Sequence, residues 1–304
     1  MVSAEADAHA RAVLAKATRE NFPVAPGFLP REWRYDLMAV YGYARLVDDI
    51  GDGDLAPGGL DAEYLGLDRT HGSEPGTDRL SMLDAFETDL LRLFDDARAA
   101  PGHPLLRALA PTVRRRRLSP EPFLALIEAN RQDQKVRRYT DHAELVGYCE
   151  LSANPVGHLV LAITGTATPE RIRYSDDVCT ALQIVEHLQD VAEDLGRDRI
   201  YLPAEDMARF HVTESDLAAP RANASVRALL AYEADRAHAL LSAGDPLVAS
   251  VRGRLRLLLA GFTGGGRATL RAISRAGYDV LPGPPRATTR GLLREVAATL
   301  RREG

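Results

Sequence analysis

Two stretches of the sequence place carboxylates at helical spacing. In YARLVDDIGD, residues 43–52, Asp48 and Asp52 are four apart, so a helix projects both from one face, one turn apart. Like charges so placed repel, and a shared cation relieves the conflict. Arg45, one turn earlier, is positioned to grip a phosphate beside that cation. The second stretch, LQIVEHLQDVAEDLGRDRIYLP at 182–203, steps by four through Glu186, Asp190 and Asp194, with Gln183 about a turn before them and Arg199 and Tyr201 just beyond. Leu182, Ile184, Val185, Leu188 and Val191 pack the rest of that helix. Either stretch alone can be a solvated charged face. Two Asp-x-x-x-Asp helices in one chain, each with an arginine nearby, point to chemistry.

Mg²⁺ takes oxygen ligands and binds through one or two carboxylates plus substrate phosphates. Two such helices suit a metal cluster that holds a diphosphate, with metals and arginines stabilising the departing pyrophosphate. The organic remainder of such a reaction is a carbocation, which needs an apolar or aromatic cavity to shield it from stray nucleophiles.

The elements that must position these residues are helices. Leu80, Leu83, Phe86, Leu90 and Leu93 step by three and four, and 3–20, 31–50, 120–132, 141–165, 170–195, 224–242, 246–262, 266–278 and 287–302 show the same period. Alternating strand patterns are nearly absent. Pro23, Pro26, Pro101, Pro120, Pro169, Pro203, Pro246, Pro282, Pro284 and Pro285 read as helix stops. Residues 51–78, rich in Gly, Pro and Asp, read as a mobile loop too polar to pack, and 282–304 as a C-terminal extension. No repeat and no linker between independent cores is visible, so the expectation is one all-α domain over 1–304.

Composition bounds the class. The chain has 304 residues, 45% hydrophobic and 27% charged, the balance of a globular protein. Lys plus Arg is 38 against 43 for Asp plus Glu, a net charge of −5, which argues against a nucleic-acid coat. Cys149 and Cys179, the only cysteines, make neither a disulfide framework nor a Cys-rich zinc site. The start lacks a signal-peptide pattern, and the longest apolar run of note is Leu159 to Ile163. The expected setting is the cytoplasm, with peripheral contact at the inner membrane face.

The motifs resemble the squalene/phytoene synthase family of head-to-head isoprenoid synthases. ENFPVAPGFLP at 20–30, AVYGYARLVDDIGD at 39–52, RRYTDHAELVGYCELSANPVGHLVL at 137–161 and the acidic helix ending in RDRIYLP carry the resemblance, over roughly residues 20 to 280. It implies an all-α isoprenoid synthase fold, with helices around a central cavity and two facing Asp-rich helices. It also implies Asp48, Asp52, Asp190 and Asp194 as Mg²⁺ ligands, Arg45 and Arg199 near the diphosphate, and Tyr41, Tyr139 and Tyr278 about the cavity. Gln183 and Tyr201 join the substrate-binding set.

Two positions depart from the family pattern: Glu186 stands where Asn is usual and Gln189 where Arg is usual. Glu186 can still ligate Mg²⁺; Gln189 cannot supply the missing positive charge. HLQD at 187–190 with SANPVG at 152–157 resembles the branch that converts presqualene diphosphate to hydroxysqualene in the bacterial hopanoid route. That branch implies functional links to a presqualene diphosphate synthase and to an enzyme that reduces the alcohol. The alternative is a presqualene diphosphate, squalene or phytoene synthase that condenses two prenyl diphosphates. No G-x-G-x-x-G occurs, and GFTGGGR at 261–267 reads as a helix break, so NADPH is not expected and water is the expected terminal nucleophile.

Catalytic candidates are therefore Tyr41, Arg45, Asn154, His187 and Gln189. His187 reads either as a group near the diphosphate or a catalytic water, or as a packed helix histidine. Asn154 can position water or stabilise a break before Pro155. Gly157 fits close approach of a neighbouring helix or a substrate chain, and Arg114 to Arg117 read as a solvated helix end or as a run that favours anionic lipid. VRGRLRLLLAGF at 251–262 is amphipathic and basic, suited to core packing or to a membrane surface. A metal-dependent phosphohydrolase and a non-catalytic helical scaffold are the competing classes. His-Asp phosphohydrolases need a His-Asp pair, and the chain has only Asp141-His142. A scaffold does not need both acidic stripes beside Arg45 and Arg199.

Overall fold

In a computed structural model, the described residues are 24–55, 59–67, 75–95 and 100–302, and they are helical with one isolated parallel bridge, between Arg138 and Ile200. The helix expected over 3–20 lies outside them. The chain divides into two compact units: residues 1–135 with 159–165, and residues 136–158 with 166–304.

The first unit is built on α1 (Arg31–Asp52). Leu37, Val40, Tyr43, Leu46, Val47 and Ile50 recur at three and four and are buried, so the helix has one wide apolar face. Against it pack α3 (Pro75–Leu91), α4 (Pro104–Arg116) and α5 (Glu121–Gln132). Tyr43 stacks on Phe86, meets Phe123 edge-on, and donates its hydroxyl to the Phe123 carbonyl at 2.8 Å. Asp36, fully buried on the same helix, accepts from Thr112 Oγ1 at 2.8 Å and from Arg116 Nε at 2.7 Å, and Arg115 pairs with it too. Arg115 and Arg116 thus tie α4 to α1, a role that neither a solvated helix end nor a lipid-facing run anticipated.

Residues 51–78 are not one polar loop. α1 runs through Asp52, Gly53 closes it in the left-handed conformation (φ 76°), α2 (Leu60–Tyr64) follows, and α3 begins at Pro75. Asp61 of α2 is buried because His103 Nε2 lies 3.0 Å from its Oδ1. His103 Nδ1 accepts the Leu105 N–H, which leaves the proton on Nε2 to face Asp61. Asp89 accepts the backbone N–H groups of Gly102 and His103, each at 2.8 Å. Composition marks this segment as polar; the partner that lets it pack is about forty residues away.

The second unit centres on α8 (Pro169–Gln189), with α6 (His142–Ser152), α12 (Ala224–Ala243), α13 (Pro246–Ala249) and α14 (Gly253–Arg275) packed on it. Pro169 and Pro246 start helices instead of stopping them: they occupy the first turn, as Pro104 does in α4, where no N–H is needed. Thr168, Asp141 and Asn223 cap α8, α6 and α12 through their side chains.

GFTGGGR is no break. It lies inside α14, and its glycines are points of close approach. A Cβ on Gly264 would sit 2.8 Å from the Val296 nitrogen of α15 (Thr289–Arg302), and one on Gly266 would sit 2.7 Å from Leu182. Likewise Gly157, in α7 (Asn154–Ile163), abuts Ser175 and Cys179 of α8, so a helix and not a substrate chain claims that space. The C-terminal segment is integral: α15 buries Glu295 and Thr299, and Arg267 of α14 reaches Thr299 Oγ1 at 3.1 Å and Asp245 Oδ2 at 2.6 Å. No helix among the described residues is long and apolar enough to cross a membrane.

This packing makes two predictions about stability. Gly264→Ala should destabilise the protein by about 1–3 kcal/mol through overpacking. Gly261→Ala, with nothing within 4 Å of its Cβ, should stabilise it by about 0.5–1 kcal/mol through helix propensity. Urea unfolding of both variants checks the pair, and equal effects would reject the close-approach account. The second prediction concerns Glu233 of α12, only 1% exposed, beside Asp206 and Arg236. Burial, then the hydrogen bond with Asp206, pushes its carboxyl up to about 8. The folded state therefore holds a proton that the unfolded chain releases near 4.5, so this group's stabilising contribution is present below that value and lost as pH rises through about 8. Glu233→Gln should flatten that decline, read as thermal midpoint against pH.

Candidate active site

The first acidic group lies at the C-terminal end of α1. Asp48 is exposed and Asp52 half-buried, and Asn130 Nδ2 of α5 donates to Asp48 Oδ1 at 3.1 Å. Gly51 makes this possible, since a Cβ there would sit 1.9 Å from Asn130 Oδ1. Gln134 Nε2 donates to the Gly51 carbonyl at 2.9 Å and so closes the helix end. Arg45 pairs with Asp49 at 2.8 Å, and Asp49 is 3% exposed. Burial opposes the Arg45 charge, yet Asp49, Asp48 and Tyr41 outweigh it and hold its pKa above the ordinary arginine value. Tyr41 is thus close to Arg45, half-buried one turn earlier.

Asp49, Asn130 and Gln134 were not singled out by sequence reasoning. Asp49 was legible as the i+4 partner of Arg45. Asn130 and Gln134 are also four apart, but two amides at a helix end carry no signal of their own.

The second group forms where α8 ends. Asp190, at φ −103° and ψ 16°, closes α8 and opens α9 (Val191–Gly196), so Glu186, Asp190 and Asp194 do not lie on one unbroken helix. The turn bonds continue all the same: Asp190 N–H donates to Glu186 O at 3.0 Å, and Asp194 N–H to Asp190 O at 2.8 Å. Glu186 is exposed, whereas Asp190 and Asp194 are half-buried. Partial burial, then the charges of Asp194 and Glu193, push the Asp190 carboxyl up to about 6.

His187 is the hinge of this group. It lies flat on Tyr201, with ring centroids 3.7 Å apart and planes at 11°. The Gln183 amide nitrogen donates to its Nε2 at 3.1 Å, which places the proton of the neutral ring on Nδ1, 3.6 Å from Asp194 Oδ2. Tyr201, Tyr148 and Tyr139 form an aromatic cluster, with centroids 5.4 to 5.6 Å apart. Arg199, 7% exposed, ends a turn in which its N–H donates to the Asp194 carbonyl at 2.8 Å. His187, Asp194, Arg199 and Tyr201 line one small pocket.

The segments at 137–140 and 200–205 bind each other, and Ile200, Tyr201 and Leu202 of the later one line this pocket. Ile200 N–H donates to Arg137 O, Ala204 N–H to Tyr139 O and Glu205 N–H to Thr140 O. Arg138 clamps the join, donating to Asp198 O and, through two nitrogens, to both Glu214 oxygens. Its role was missed because it looks like any exposed arginine.

Three candidates stand apart from that pocket. Asn154, 5% exposed, accepts from Thr180 Oγ1 at 3.1 Å; Thr180 precedes His187 by two turns of α8. Gln189, also buried, donates its amide to the Pro285 carbonyl at 2.6 Å. Tyr278, at φ 58°, lines a separate cavity with Arg267, Arg271 and Glu295.

Among the described residues no three acidic, cysteine or histidine side chains form a ready cation cage. Mg²⁺ does not require one, since it commonly uses one or two carboxylates and completes its shell with water and substrate phosphates. Asp190 and Asp194, crowded enough to raise a carboxyl pKa, fit that donor set.

Comparison with known proteins places these features in a family. The squalene/phytoene synthase family model matches residues 15–292. The crystal structure of squalene synthase HpnC from Alicyclobacillus acidocaldarius is 39% identical, with a TM-score of 0.73 over 90% of this chain and 96% of that one. A hydroxysqualene synthase of Rhodopseudomonas palustris is 32% identical over 234 residues, 77% of this chain and 72% of the relative. A phytoene synthase of Mycobacterium tuberculosis is 30% identical over 272 residues, 88% and 82% of the two chains. Paired acidic motifs, an all-α isoprenoid synthase fold and a match along nearly the whole chain agree, and the protein belongs to the squalene/phytoene synthase family of enzymes.

Proposed function

We propose that this enzyme converts presqualene diphosphate and water into hydroxysqualene and diphosphate, with Mg²⁺ as cofactor. The observation that carries the reading is His187, which places a polar ring between Gln183, Asp194 and the Tyr201 face, shortly before Asp190. The likeness to the squalene synthase HpnC and to the Rhodopseudomonas hydroxysqualene synthase supports it. Asp48, Asp52, Asp190 and Asp194 would hold the metal, with Glu186 at the exposed edge. Bound Mg²⁺ would supply Lewis-acid stabilisation of the departing diphosphate.

The chain's own residues do the rest. Arg45, held charged by Asp49 and Asp48, and Arg199 bind phosphate oxygens as the C–O bond breaks and its electron pair leaves with diphosphate. The rings of Tyr139, Tyr148 and Tyr201 cluster beside His187, and aromatic rings stabilise cations. Water adds its oxygen to the rearranged cation and loses one proton, so no reductant is consumed. His187 and Gln183 orient that water. The second reading, condensation of two prenyl diphosphates, rests on the similar identity to the Mycobacterium phytoene synthase.

Asp48→Ala and Asp190→Ala should each lower turnover about a hundredfold or more, with unchanged circular dichroism; normal rates at limiting Mg²⁺ reject the metal assignment. The product test uses presqualene diphosphate and farnesyl diphosphate separately, in ¹⁸O-labelled water. The expected outcome is ¹⁸O-labelled hydroxysqualene from the first and no C30 condensation product from the second. Hydrocarbon from a prenyl diphosphate pair establishes the condensation reading instead. His187→Phe keeps a flat ring on Tyr201 but removes both ring nitrogens, so diphosphate release should persist while the alcohol share of product falls.

A further inference from the structure

A cavity of about 310 Å³ lies between α14, residues 285–288 and the first turns of α15, all within the second unit. Arg271 and Arg275 enter from α14, Arg286 from the connection and Arg294 from α15. Ala268 and Ala272 are in the same lining, and their small side chains leave room among the arginines. The one carboxylate in the lining is Glu295, 1% exposed, whose Oε1 lies 3.0 Å from Arg271 Nε. Among the described residues no carboxylate pairs with Arg275, Arg286 or Arg294.

Four cations around one cavity do not follow from the composition, since the chain carries a net −5. Their mutual repulsion is a cost that an anion in the cavity removes. The helix adds to the same field: α15 has 14 residues, and its positive end opens beside Thr288 and Gly291 in the lining. Arginine forks pair bidentately with phosphate oxygens, and the volume suits a phosphate or a diphosphate group.

We propose that this cavity binds a phosphate-bearing anion, in a site that contains none of the acidic residues of α8 or α9. The anion is either free diphosphate or the headgroup of an anionic lipid, and both meet the same arginines. Pro285, whose carbonyl receives the Gln189 amide, sits in the lining, so an occupied cavity also braces the residue before Asp190.

The test uses the full chain in EDTA at low ionic strength, where carboxylates carry no metal that could recruit an anion. Inorganic diphosphate is titrated calorimetrically, and vesicles of phosphatidylglycerol or of phosphatidylcholine are floated with the protein. Arg275→Gln/Arg294→Gln should weaken binding about tenfold, with the thermal midpoint unchanged because both side chains are exposed. Loss of diphosphate binding in the variant identifies the free anion as ligand. Loss confined to phosphatidylglycerol vesicles identifies the lipid headgroup. Wild-type protein that binds neither probe, or a variant that binds both as tightly as wild type, overturns the proposal. Should the double variant fail to fold, Arg286→Gln alone carries the same expectation.

Discussion

Negative charge crowded into a partly dry setting is the constraint around which the acidic groups are arranged. At Asp190 it is strong enough to hold the carboxyl near 6, and the cause is burial reinforced by Asp194 and Glu193. Such a group keeps its raised value only if its neighbours are fixed, because a carboxylate free to turn toward water would lose both the burial and the repulsion. The protein fixes them by different means. At the end of α1 an amide from α5 holds Asp48 and an arginine neutralises Asp49. At the end of α8 the imidazole of His187, itself pinned on Tyr201, stands beside Asp194. In each unit the acidic residues sit where a helix stops. The helix sets their side chains, and residues from neighbouring segments set their surroundings.

The supporting framework relies on absent side chains as much as on present ones. α14 carries Gly264 toward α15 and Gly266 toward α8 and α12, and Gly157 does the same for α7 against α8. Glycine costs helix propensity, about 1 kcal/mol per residue relative to alanine. The packing gained across these four helix contacts offsets that loss. Arg267 threads the same region and links α14 to Thr299 of α15 and to Asp245 at the start of α13.

The helices with a wide apolar face were readable from periodicity, α1 most clearly, because the signal for such a helix lies within its own residues. The i, i+4 spacing of Asp48 and Asp52 was readable for the same reason, since both lie on α1. Three glycines in a row, read alone, suggest a break, and only Val296 and Leu182 explain why they do not make one. Asp61 reads as loop composition until His103 supplies its partner. Spacing places both Asp48 and Asp49 near Arg45, and only the structure shows that Asp49 is the one paired with it. In each case the deciding residue is distant in sequence or hidden among equivalents. The family resemblance supplied the fold and implied a set of metal ligands, but it could not show that Gln189 would be tied to a proline carbonyl near the C-terminus.

The junction between residues 137–140 and 200–205 has a consequence for the order of folding. Its hydrogen bonds join positions some sixty residues apart, so the chain must close a long loop before any of them forms, and that entropy must be met first. Gln183, His187, Asp190 and Asp194 all lie within the loop so closed. During synthesis, α6 and α8 can form as local helices while still attached to the ribosome. Arg199 and Tyr201 reach their places only when the later side of the junction emerges. Arg138, which bonds the returning chain at Asp198 and Glu214, therefore acts as the latch that turns finished helices into a finished pocket.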